Sequence, residues 1–220
     1  MAKSSDDANV DLRVPVAVHV ESLAWLPSPS PTVWRRTLYR EGGEFGPVTS
    51  VVRYDARSAF APHSHPEGEE ILVLEGVFSD EHGDYPAGTY LLNPPGSSHK
   101  PASREGCVLF VRLRQYGGEG RLARALDTNA LDWTATDNAD VLERPLYAQA
   151  GFPETISLQQ WRPGARVSIP GSDRPREILV LEGAVESPLG VHPATSWLRW
   201  PASSGGVELQ APGGARVYCR

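Results

Sequence analysis

Cysteine is scarce in this chain: there are two in 220 residues, Cys107 and Cys219, and they form no metal-spaced pair. That excludes a thiolate zinc knuckle and a disulfide-stapled scaffold, and it leaves buried free thiols as the expectation. Basic charge is also in short supply. Lys and Arg number 21 against 27 Asp and Glu, a formal net charge of −6, and no segment gathers the cationic face that a phosphate backbone requires. A nucleic-acid partner is therefore not expected. Long apolar runs are missing too. Nothing approaches a membrane span, and the opening Met1–Asp7 lacks the apolar stretch of a secretion signal, which predicts a cytoplasmic chain with no membrane partner.

What the chain has in quantity is turn chemistry. Twenty prolines and 21 glycines separate short runs rich in β-branched residues, and this predicts an all-β protein. The length permits one or two small domains. An internal repeat favours two. Ile71-Leu72-Val73-Leu74-Glu75-Gly76 recurs letter for letter as Ile178-Leu179-Val180-Leu181-Glu182-Gly183, an offset of 107 (178 − 71). Leu23-Ala24-Trp25 corresponds to Leu131-Asp132-Trp133, and Arg36-Thr37-Leu38-Tyr39 to Arg144-Pro145-Leu146-Tyr147, both at 108 (131 − 23 and 144 − 36). Such register across two halves implies a duplication and two tandem β-barrels. The expected layout is an N-terminal extension over 1–20, a first barrel over 21–116, a linker over 117–130 and a second barrel over 131–220. Arg121–Leu126 is expected to form one short helix in the linker.

Chemistry concentrates in the first half, in His63-Ser64-His65-Pro66-Glu67-Gly68-Glu69 and, further on, His99. Residues two apart on a strand share a face, so His63 and His65 can converge on one cation. Pro66-Glu67-Gly68 is a turn signal. It is expected to bring Glu69 back opposite the two imidazoles in one hairpin, while His99 arrives from a second hairpin after Asn93-Pro94-Pro95-Gly96. Three imidazoles and one carboxylate suit zinc, iron, manganese or nickel. Glu70 is the rival to Glu69, since a one-residue shift would exchange their faces. His19, His82 and His192 lack such company and are expected on the solvated surface. At the offset of 107, His63 falls on Pro170, His65 on Ser172 and Glu69 on Arg176, while His99 falls on Gly205 or Gly206. The second barrel should accordingly be metal-free.

These residues resemble the cupin superfamily, whose two motifs are G-x5-H-x-H-x3–4-E-x6-G and G-x5-P-x-G-x2-H-x3-N. His63, His65, Glu69 and Gly76 match the first, and Gly88, Pro94, Gly96 and His99 the second. Ala56 or Arg57 replaces the opening glycine, and Ser103 the final asparagine. The wording from His65 to Tyr90 is similar to the cupin-like domain of ChrR-type anti-sigma factors, over about residues 32 to 115. That resemblance implies two jelly-roll barrels and zinc on His63, His65, Glu69 and His99, with iron, manganese or nickel as further candidates. It implies a regulatory or stress-linked role. ChrR proteins hold their sigma factor through an N-terminal domain with a Cys-x-x-Cys pair, and residues 1 to 30 contain no cysteine, so sigma capture in that manner is not expected. An iron-dependent dioxygenase cleaving a carbon–carbon bond of a small β-diketone-like substrate is the alternative, and a small-ligand-binding protein braced by its metal is the third reading. A protein partner or small molecule at the first barrel, and a homodimer, are the expected associations. Strand alternation suggests Ile71 and Val73 as pocket walls, with Tyr90, Leu92, Phe110 and Arg112 as further candidates, Arg112 either holding an anion or lying solvated on its strand.

Overall fold

The computed structural model describes residues 7–202 and 204–220, so the first six residues of the expected N-terminal extension lie outside it. The described residues form strands joined by turns, with single-turn 3₁₀ segments at Val20–Ser22, Gly43–Phe45 and Thr128–Ala130 and no α-helix among them. No helix is long and apolar enough to cross a membrane. The chain divides into two compact units. One is Leu23–Ala130 with the stretch ending at Val10; the other is Asp11–Ser22 with Leu131–Arg220. Each is built on a ten-stranded antiparallel sheet.

In the first unit the sheet runs Arg124–Asp127, Thr89–Asn93, Glu69–Asp80, Cys107–Leu113, Val48–Tyr54, Val33–Arg40, Leu26–Pro27. The long strand Glu69–Asp80 serves two layers. Its start pairs with Thr89–Asn93, from Glu69 opposite Asn93 to Leu72 opposite Tyr90, whereas its end pairs with Gly83–Pro86 and, at Ser79, with Ala102. The change of partner falls at Gly76, where φ is 70° and a Cβ would lie 2.1 Å from the Gly106 carbonyl oxygen, an approach only glycine permits. Gly183 repeats this against Gly214, at φ 73° and 2.2 Å. That shared bend accounts for the glycine closing both copies of the repeated hexapeptide. The other repeated residues are explained as well: the Arg36 guanidinium lies 4.3 Å from the Trp25 ring, and Arg144 lies 4.2 Å from Trp133.

The linker differs from expectation. Arg121–Leu126 does not form a helix; Arg124–Asp127 is a strand laid along Thr89–Asn93, from Arg124 opposite Leu92 to Asp127 opposite Thr89. A six-residue helix has little stability of its own, while the sheet edge offers a ready ladder of backbone partners. The N-terminal stretch behaves alike. Val16–His19 pairs with Ser196–Trp200 in the second unit, from Val16 opposite Arg199 to His19 opposite Ser196. The two edge strands are equivalents at the 108-residue offset (124 − 16), so each sheet is completed by a strand from outside the expected barrel boundaries.

Candidate metal centre

Local pairing differs from the two expected hairpins and brings the histidines together more directly. Strand His63–His65 pairs with Ser97–His99 as a separate two-stranded ribbon, His63 opposite His99 and His65 opposite Ser97. Directly opposed residues and residues two apart share a face, so all three imidazoles project from one side. Their ring centroids form a triangle with sides of 4.9, 5.1 and 4.8 Å. The turn after His65, closed by Gly68 N–H on the His65 carbonyl at 3.3 Å, leads the chain out of the ribbon and into the large sheet. Glu69 begins that sheet strand, and its Oε2 lies 3.4 Å from His65 Nε2 and 3.5 Å from His99 Nε2.

The donor atoms of His63, His65, Glu69 and His99 all lie within 4.8 Å of one another. Donors bonded to one ion at roughly 2.0–2.2 Å stand up to about 4.4 Å apart, so modest side-chain rotation fits this set to a single cation. The Nε2 atoms of His65 and His99 are buried and lack a hydrogen-bond partner among the described residues, which is costly unless another atom occupies the space between them. Tautomers agree with this. The His63 Nδ1–H donates to the Ala61 carbonyl at 2.9 Å, and the His99 Nδ1–H to Asp80 Oδ2 at 3.3 Å, which leaves the Nε2 lone pairs facing the cluster. Asn93 donates to Glu69 Oε2 at 2.9 Å and so fixes the carboxylate. Burial, followed by the neighbouring His99 and His63 rings, pushes His65 down to about 3, and burial lowers His99 against the pull of Asp80. Burial also pushes Glu69 up to about 8. Neutral imidazoles and a carboxyl reluctant to ionise alone are a set that a divalent cation completes.

Asp80 and Asn93 escaped the sequence reading. Asp80 lies eleven residues beyond Glu69 (80 − 69), past the bend in its strand, and no local pattern signals that it reaches His99. Asn93 sits directly opposite Glu69, which only cross-strand register reveals.

A cavity of about 590 Å³ adjoins the cluster. Glu69 and Ile71 face it together with Leu109, Val111 and Leu113, while Val73 packs in the core that includes Ile71. Tyr90, Leu92, Phe110 and Arg112 do not line it, because register places them with Glu70 and Leu72 on the opposite side of the sheet. Arg112 is neither an anion holder there nor solvated. It is fully buried, 3.6 Å from Glu70, and it donates to Gln115 at 2.5 Å, while Tyr116 also donates to Glu70. Glu69, not Glu70, shares the space of the histidines. His19 and His82 are exposed as expected, but His192 is buried, its Nε2 2.8 Å from Ser187 Oγ, because it occupies the inward position of strand Gly190–Pro193. Cys107 is a buried free thiol, whereas Cys219 is only partly buried.

Two jelly-roll units, one with a three-histidine, one-glutamate cluster at the mouth of its barrel, define a tandem cupin. Residues 13–117 match the family model described as ChrR Cupin-like domain, a similarity that covers just under half of the chain. Arg57, one of the two residues that stand where the cupin motif has its opening glycine, adopts the left-handed φ of 61° that glycine accepts most readily. Three solved structures show the likeness over the whole chain. A candidate dioxygenase from Nostoc punctiforme PCC 73102 is 15% identical, with a TM-score of 0.78 over 94% of this chain and 82% of that one. The bacterial pirin YhhW from Escherichia coli, in complex with nickel(II), is 14% identical, with a TM-score of 0.66 over 94% and 97%. A salicylate 1,2-dioxygenase from Pseudaminobacter salicylatoxidans is 12% identical, with a TM-score of 0.66 over 94% and 84%. At these identities the likeness is one of fold. No curated protein matches the chain in sequence.

Proposed function

We propose that the first unit binds one divalent cation on His63, His65, Glu69 and His99 and presents it to a small molecule in the adjoining cavity, as an iron-dependent dioxygenase of a chelating, β-diketone-like substrate. The observation that carries this reading is the cavity itself: His63, His65, Glu69 and His99 line it, whereas a purely structural site would be closed off by packing. When bound, iron supplies the redox chemistry that dioxygen requires. Burial holds His65 and His99 neutral, Ala61 and Asp80 fix the tautomers of His63 and His99, and Asn93 clamps Glu69. The apolar walls exclude water from whatever lies against them. The test is elemental analysis of the protein, followed by oxygen-uptake measurements on protein loaded with iron, zinc, manganese or nickel and offered acetylacetone and aryl diketones. Uptake with iron and not with zinc is expected, and no uptake with any metal overturns the enzymatic reading.

A second reading is favoured by the match over 13–117: a zinc-loaded regulatory module in which the ligand of the cavity is a signal. It requires one zinc per chain, no oxygen turnover, and a protein partner whose retention changes when the metal is stripped by chelator.

A further inference from the structure

Strand Val48–Tyr54 turns one face to the first unit's cavity: Val48, Ser50, Val52 and Tyr54 alternate along it and all line the space. Val33, Ile71, Leu109 and Val111 add apolar walls. The polar lining groups outside the histidine cluster are not alike. Arg114 follows strand Cys107–Leu113 with φ of 60° and sets its guanidinium 6.0 Å from the ring of Phe45, which is 85% exposed. Ser50 has a serine, Ser157, at the equivalent position of the second unit (50 + 107), so its hydroxyl belongs to the shared frame. Tyr54 is different. It is 7% exposed, its ring meets Phe78 edge-on at 6.0 Å, and Phe78 lies 5.8 Å from the His99 ring, which puts the phenol one aromatic ring away from the cluster. Among the described residues no hydrogen bond joins its hydroxyl to any partner. The second unit contains the satisfied version. There the equivalent residue is Trp161 (54 + 107), whose indole N–H donates to Gln159 Oε1 at 2.9 Å, and the place of Gln159 is taken in the first unit by Val52, an apolar wall. The unit with the cluster therefore lacks the internal acceptor and keeps a donor. Burial first, then the charge of Glu69, pushes the Tyr54 phenol above its ordinary value, so it stays protonated. A phenol donates better than it accepts, and a buried donor with its bond unmade is costly unless the occupant of the space accepts from it.

We infer that Tyr54 is the specificity-determining residue of this cavity: its hydroxyl donates to the oxygen of a small carbonyl compound whose apolar body lies along Val33, Val52, Leu109 and Val111. The inference rests on the reading of the cavity as a ligand site and does not need the cation. Apolar walls alone discriminate little between a carbonyl compound and a hydrocarbon of the same shape. A site built round an unspent donor does discriminate, because the hydrocarbon leaves the donor unpaired.

The test is calorimetric titration of full-length metal-free protein with acetophenone and with α-methylstyrene, its isostere with a methylene in place of the oxygen. Tyr54→Phe removes the hydroxyl alone. It should weaken acetophenone binding about fivefold to tenfold and leave α-methylstyrene binding within about twofold, at unchanged metal content. Zinc-loaded protein titrated in parallel should show the same difference; its loss there would put the carbonyl on the cation and overturn the inference. Thermal unfolding without ligand should give Tyr54→Phe an equal or higher Tm, since the variant removes a hydroxyl that has no internal partner. A lower Tm, or failure to fold, would mean that the hydroxyl serves the fold and would also overturn it. Equal effects of the variant on the two probes, or no binding of acetophenone by the wild-type protein, would do the same and leave the metal stoichiometry standing. Absence of metal uptake would instead remove the metal reading, and the metal-free titrations would still decide this one.

Discussion

The two units share a strand plan and differ in what fills it. In the first, Glu69 lies opposite Asn93; in the second, the equivalent pair is Arg176 opposite Trp200. Tyr54, opposite Val33, becomes Trp161 opposite Val141. Among the described residues the His63–His65 ribbon has no counterpart strand: Ala165–Ile169 ends one residue before Pro170, the position equivalent to His63. Trp161 and Trp200 are 1% and 4% exposed and belong to one apolar cluster with Val167, Ile178, Val180, Leu198 and Leu209. The frame is thus indifferent to its contents. A barrel that holds buried imidazoles and a carboxyl carries a desolvation cost, and a barrel that lacks them and sets indoles at the positions of Tyr54 and Asn93 avoids that cost and gains packing.

The largest effect should follow from emptying the second unit's core. Trp200→Ala is expected to destabilise the protein by about 3–5 kcal/mol, as for other large-to-small aromatic truncations in cores, with metal content unchanged. Denaturant unfolding measures it, and a loss below about 1 kcal/mol would mean that the indole is not packed as described.

Next is removal of one imidazole. His65→Ala should lower metal affinity by more than about 100-fold and abolish the rise in thermal stability on metal addition, since binding free energy is coupled to the folded state. Ser172→Ala, its counterpart, should do neither. Equal metal content in the two variants by elemental analysis would place the cation elsewhere than the first unit.

Much of this was legible in the sequence because it depended on local spacing. The duplication, the all-β class and the gathering of His63, His65, Glu69 and His99 all follow from residue types at short, fixed intervals. What was not legible depended on long-range register. Arg112 reads as either an anion holder or a solvated strand residue while only its strand is known and not its face; pairing of Leu113 with Glu69 turns Arg112 toward Glu70 instead. Arg114 could not be found by alternation, since a left-handed residue after the strand takes it out of phase. Arg124–Asp127 reads equally well as a helix or an edge strand until the open edge of Thr89–Asn93 is known. His192 looked isolated because its partner Ser187 lies across a hairpin and carries no histidine-like signal.

A smaller effect is expected at Asp80, which has no part in the ligand quartet but holds His99. Its side chain is 6% exposed and also accepts from the Tyr85 hydroxyl at 3.2 Å, so its position is fixed from a second direction. Asp80→Ala should weaken metal binding by about 10-fold to 100-fold while leaving one metal per chain at saturation, because it frees the ring and its tautomer without removing a donor. The equivalent position in the second unit is Ser187, which contacts His192, and Ser187→Ala should leave metal affinity unchanged. Parallel chelator competitions on the two variants make the measurement.

The mildest effect, per unit of the variable changed, is that of pH, and its sign can be derived from Glu69 and His65. In the metal-free first unit Glu69 is raised from 4.5 to about 8, so its stabilising contribution is fully present below about 4.5 and is lost as pH rises through 8. His65 is lowered from 6.5 to about 3, so its contribution is present above 6.5 and is lost as pH falls toward 3. The metal-free site is therefore opposed from both sides, whereas the second unit has Arg176 and Ser172 at these positions and carries neither cost. A cation must displace the Glu69 proton, so affinity should climb about tenfold per pH unit up to roughly pH 8 and level off above it. Chelator competition at pH 6, 7, 8 and 9 gives the slope, and calorimetry in buffers of different ionisation enthalpy gives the proton released. A flat profile between pH 6 and 8 would remove Glu69 from the ligands and leave the three imidazoles to hold the cation alone.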